Sequence, residues 1–111
     1  MANPVTFRMW VPNRHGRADL HLRSPQITTF SVVHISISEA TALDTAELLP
    51  PRPGLGQTFT TVFGDAAITL QNVAVRQGAV DFRVFVDWDS PLDLVADITI
   101  FDPPEEIIIG E

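Results

Sequence analysis

Val80-Asp81-Phe82-Arg83-Val84-Phe85-Val86-Asp87-Trp88 decides the fold. Val80, Phe82, Val84, Val86 and Trp88 recur at every second position, with Asp81, Arg83 and Asp87 between them. Successive side chains of a strand point to opposite faces, so a period of two describes a sheet with one dry face and one wet face. The pattern continues in Leu92–Phe101, where Leu94, Ala96, Ile98 and Ile100 alternate with Asp93, Val95, Asp97 and Thr99.

Working outward, Val5, Phe7, Met9 and Val11 alternate with Thr6, Arg8 and Trp10 as a first strand, closed by Pro12 and a polar turn. Leu20 and Leu22 alternate with Asp19, His21 and Arg23 as a short second one. Ile27 to Ser38 is a β-branched third stretch, with Val33, Ile35 and Ile37 on one side and Val32 and His34 on the other. Gln57–Phe63 and Ala66–Val75 supply two more, the latter slipping phase near Asn72-Val73 as at a bulge. Arg76-Gln77-Gly78 reads as a tight hairpin, and Ile107–Ile109 as a last edge strand. Between Ser38 and Leu49 the residues suit a short helix capped by Thr41, or an extended excursion. Pro50, Pro51, Pro53, Gly54 and Gly56 then mark the longest loop.

The expectation is one all-β domain over residues 1–111: a two-layer antiparallel β-sandwich, immunoglobulin-like or jelly-roll. It has about 7–8 short strands and at most one short helix. Uneven strand lengths and prolines beside several strands favour open sheets with edges over a closed barrel.

Composition removes several functions. The chain has no cysteine, so thiolate catalysis, disulfides and cysteine metal sites are absent. It has no lysine, so Schiff-base chemistry and the usual phosphate-loop cation are absent too. A net charge of −7 argues against nucleic acid and anionic membrane as partners. No charged-then-apolar leader pattern opens the sequence and no apolar run reaches a membrane span, so the expected location is cytoplasmic. Charge is unevenly spread: Arg8–Arg23 carries four Arg, two His and one Asp, whereas Asp81–Glu111 carries nine acids and one Arg. Such polarity steers partners and orders head-to-tail self-contact.

Three constellations are candidates for function. Apolar residues on nominally wet faces come first: Trp10, Val32, Phe85, Val95 and Phe101. Aromatics are enriched at interface cores, so Trp10, Phe85 and Phe101, rimmed by Arg8 and Arg83, are the expected contact surface. On this reading the chain is a non-enzymatic module that binds a protein partner or itself, without a cofactor. The alternative is a calcium-dependent binding module. Asp87, Asp89 and Asp93 would converge on one turn at Ser90-Pro91 and offer the oxygen ligands that Ca²⁺ prefers. Pro91 and the missing glycine and glutamate depart from the helix-flanked calcium loop. A second alternative is a small metalloenzyme built on Asp19, His21 and His34, with His15 and Arg23 nearby, if the second and third strands pair. No Gly-x-Ser-x-Gly elbow or glycine-rich phosphate cradle is found.

Overall fold

The computed structural model describes residues 4–43 and 58–110. Seven strands follow one another: β1 (Val5–Arg14), β2 (Gly16–Arg23), β3 (Val32–Leu43), β4 (Thr58–Val62), β5 (Ala67–Arg76), β6 (Ala79–Asp87) and β7 (Leu92–Phe101). They form two antiparallel sheets, one ordered β1-β7-β3-β4 and the other β2-β6-β5. The expected two-layer β-sandwich is what the chain adopts. Among the described residues there is no helix, hence none long and apolar enough to cross a membrane.

The centre of each layer is a strand with strict alternation. On β6, Val80, Phe82, Val84 and Val86 are buried, and on β7, Leu94, Ala96, Ile98 and Ile100 are buried. These rows share one core cluster with Val11, Ala18, Leu20, Ile27 and Ile35. Phe7, Met9, Val33, Ile37, Ile68 and Leu70 pack around it from the flanking strands. Each full burial of a Val, Leu or Ile side chain contributes roughly 1.5–3 kcal/mol. This interior, rather than any ion pair, therefore holds the layers together.

Pairing is nested. β1 lies beside β7, with Arg8 opposite Asp97 and Trp10 opposite Val95. β2 lies beside β6, with Asp19 opposite Arg83 and His21 opposite Asp81. β7 also pairs β3, placing Val32 opposite Phe101 and His34 opposite Thr99. The phase slip expected in Ala66–Val75 is a bulge on β5 between Leu70 and Asn72. The β5–β6 hairpin turns at Gly78, whose φ of 81° suits a residue without Cβ.

Several local expectations are corrected. β1 runs on through Pro12 to Arg14, at the cost of a register shift after Val11 and a left-handed Asn13. The third strand starts at Val32, not Ile27. Residues 24–31 form turns that carry the chain from one sheet to the other, and Ile27 plugs the core there. That crossing is pinned to the hairpin: Ser24 N–H donates to the Gly78 carbonyl at 3.0 Å and Gly78 N–H to the Ile27 carbonyl at 2.8 Å. The start of the Ser38–Leu49 helix is strand instead, because β3 continues to Leu43 and Thr41 pairs with Thr60. Its remainder and the Pro50–Gly56 loop lie outside the described residues. Ile107–Ile109 is not a strand; the segment after Phe101 pairs with none of the described strands.

The core assignment has a direct test. Ile98→Ala, at a side chain with no exposure, should cost about 2–5 kcal/mol in urea unfolding. Ile108→Ala, at a residue 78% exposed, should change stability by less than about 0.5 kcal/mol. Equal effects would contradict the facing described here.

Candidate functional site

The outer face of the β2-β6-β5 sheet carries a ladder of charges. Strand register dictates it: Asp19 and His21 on β2 face outward beside Arg83 and Asp81 on β6. Arg83 Nε donates to Asp19 Oδ1 at 2.7 Å, and Arg17 reaches the other oxygen of Asp19 at 3.2 Å. One step along, His21 Nδ1 donates to Asp81 Oδ1 at 2.7 Å. Arg76 crosses from β5 and donates to both Asp81 oxygens, at 2.8 and 3.3 Å. Asn72 and Ala74 complete a shallow depression between these two groups.

The electrostatics follow from these bonds. Asp81 is held down to about 2, first by the Arg76 guanidinium and then by His21. Asp19 is held below the usual carboxylate range by Arg83 and Arg17. Both acids have a donor on each oxygen, as in a solvated cross-strand ladder. The described bonds give His21 a carboxylate partner and no hydroxyl that it would activate. Arg17 and Arg76 were not legible as members of this ladder. The signal for Arg76 was its place at the foot of the hairpin, two residues before the turn glycine, which brings it diagonal to Asp81.

The proposed histidine–carboxylate constellation does not assemble. β2 and β3 lie in different sheets, so His34 sits on the opposite layer from Asp19 and His21. His15 lies at the β1–β2 turn, where its Nε2 donates to the Trp88 carbonyl at 2.7 Å. Arg23 shares the outer face of β2 but joins no described ion pair. The convergence expected of Asp87, Asp89 and Asp93 does not occur either. Asp93 begins β7 and accepts the Asn13 N–H at 2.9 Å, while Asp87 ends β6. Among the described residues no three His, Asp or Glu side chains stand together as a cation site.

The expected aromatic surface is divided between the two layers. Phe85 and Arg83 belong to β6, and Phe85 is half-exposed beside Arg17 and Thr69. Trp10, Arg8 and Phe101 belong to the other sheet. Trp10 is partly covered and lies over β7 at Val95, which is itself buried on this outer face. Arg8 makes a two-pronged bond to Asp97 at 2.7 and 2.9 Å. Phe101 lies six residues further along β7, about 20 Å from that row at strand rise.

At the Phe101 end a different apolar surface forms. Phe101 and its cross-strand neighbour Val32 are exposed, and Phe30, in the crossing turn that leads into Val32, is 71% exposed. Beside them runs a groove of about 380 Å³, lined by Val5, Ile100, Phe101 and Pro103 with Gln26 and Ser31. A continuous strand over Ile27–Ser38 would hide Phe30; the turns at residues 24–31 instead leave it exposed. From Phe101 the chain leaves as Asp102–Gly110, with Ile107, Ile108 and Ile109 exposed.

Asp81 gives a pH signature. Its folded pKa is depressed from 3.8, so the stability it adds is present above about 3.8 and is lost as pH falls toward about 2. Asp81→Asn should lower stability at neutral pH and flatten the fall between pH 3.8 and 2. Chemical unfolding at a series of pH values checks this, and parallel curves for the two proteins would contradict it. No protein-family model, curated protein or solved structure matches this chain.

Proposed function

We propose that this chain is a non-enzymatic β-sandwich module that works by assembling with a second copy of itself. One observation carries the reading: Phe30, Val32 and Phe101 are left in water at one end of the sandwich, beside a groove of mixed polar and apolar lining. Single exposed apolar residues are ordinary, but contiguous ones beside a concavity mark contact surfaces. Charge supports a second copy as the occupant. The protein is acidic at −7; four of its seven arginines lie on β1 and β2, and nine of its fourteen acids lie from Asp81 onward. One copy thus presents the complement of another. The winding, with β1 beside β7 and β2 beside β6, favours the jelly-roll alternative over the immunoglobulin one, whose first two strands share a sheet.

Light scattering over a concentration series tests the reading. The native chain should exceed the mass of one protomer, and Phe30→Ser with Phe101→Ser should weaken association roughly tenfold or more, about 1.4 kcal/mol. Raised salt should slow association, since steering between the basic and acidic parts is screened. A single-protomer mass at every concentration and salt would remove the proposal.

A further inference from the structure

The four sheet edges are unequal. A bare strand edge is a template for another strand, and proteins blunt it with proline, bulges, shortness or charge. β1 contains Pro12, a register shift and a left-handed Asn13. β4 is five residues long. β5 carries the bulge at Gln71. β2 has no proline, bulge or shortening and is guarded by charge alone: it runs eight residues without proline and pairs with β6 in unbroken register. Its open side presents Ala18, Leu20 and Leu22 toward the core layer, with Arg17, His21 and Arg23 against one acid, Asp19, on the outer face.

The same molecule carries a segment shaped to fill such an edge. Glu105-Glu106-Ile107-Ile108-Ile109-Gly110 pairs with none of the described strands and leaves three β-branched side chains 78–89% exposed. Isoleucine runs favour strands, and an extended segment added to a sheet edge gains main-chain hydrogen bonds along its whole length. The two surfaces are complementary in charge. Asp102, Glu105 and Glu106 precede or flank the isoleucines, and the β2 edge is net basic.

We propose that Glu105–Gly110 of one copy adds to the open edge of β2 in a second copy as an extra strand. This rests on the self-assembly reading above and names its contact. Ile107 and Ile109 share one face of the segment and extend the apolar layer beside Leu20 and Leu22. Glu106 falls on the other face, with Arg17, His21 and Arg23. The segment leaves the sandwich beside the Phe30–Val32–Phe101 patch, so a docked neighbour is held against that patch.

A charge swap with two variants tests it. Glu105→Arg with Glu106→Arg places basic groups on the segment; Arg17→Glu with Arg23→Glu places acids on the edge. Each variant alone should self-associate at least tenfold more weakly than the native chain. Mixed in equal amounts, they should associate within about threefold of native strength, because both possible pairings are again complementary. Ile107→Ser with Ile109→Ser should weaken association without altering the melting of the protomer. If the native chain associates and these variants associate equally well, the strand-addition contact is wrong and self-assembly stands. If the native chain does not associate, both fall. If the single variants are weak and the mixture stays weak, the two surfaces do not meet and the contact is wrong.

Discussion

The fold depends on one apposition: the inner row of β6 against the inner row of β7. These strands are consecutive in the chain, yet each is the centre of a different sheet. Val80, Val84, Leu94, Ala96 and Ile98 have no exposure, so both rows are dry along their length. Four of the other five strands flank one of these two, and β4 is added outside β3. β1 and β3 take the two sides of β7, and β2 and β5 the two sides of β6. A polar residue in either row would face an apolar wall with no partner. That is why alternation is strictest here and looser in the edge strands.

The nested arrangement has an electrostatic consequence. Because β1 lies beside β7 and β2 beside β6, the Arg-rich early part of the chain is folded against the acidic late part within one molecule. Arg8–Asp97 and His21–Asp81 are such cross-strand pairs, whereas Arg83–Asp19 joins a late arginine to an early acid. All are substantially open to solvent, so none is a main source of stability. Their larger effect is on register. Shifting β2 by one residue against β6 would place Arg83 beside an apolar neighbour and turn Leu20 outward.

Much of this was legible in the sequence, and the parts that were not share a cause. β6 and β7 were readable because period two is a local signal, carried by Val80–Val86 and Leu94–Ile100 themselves. The bulge near Asn72 was readable for the same reason: the phase slips within a few residues. Which strand lies beside which is not local. His34 was placed with His21 on the assumption that β2 and β3 pair. Instead the turns at residues 24–31 carry the chain across to the other layer, and His34 faces Thr99. Trp10, Phe85 and Phe101 were each correctly identified as out of phase with the core. They failed as one surface because phase identifies the wet side of a strand and not the sheet to which that strand belongs. The helix suggested by Thr41 and the residues after it lost, over Ser38–Leu43, to pairing with Thr58–Val62. Marginal helix propensity over one or two turns is weaker than a ladder of cross-strand bonds.

The charges left over after internal pairing matter more than the charge asymmetry of the sequence. Asp97, Asp19 and Asp81 are spent on their cross-strand partners, and the arginines bound to them are spent with them. The basic groups outside the described ion pairs on these strands are Arg14, at the end of β1, and Arg23, at the end of β2. What remains acidic after β7 is Asp102, Glu105 and Glu106. These residual groups sit where, among the described residues, backbone valence is also unspent, at edge strands and on an unpaired segment. Neither can be satisfied by the other within the protomer as it stands, since the segment joins no described strand. A second copy offers both at once. Burying Ile107 and Ile109 from the segment then supplies the apolar gain that surface charge alone would not.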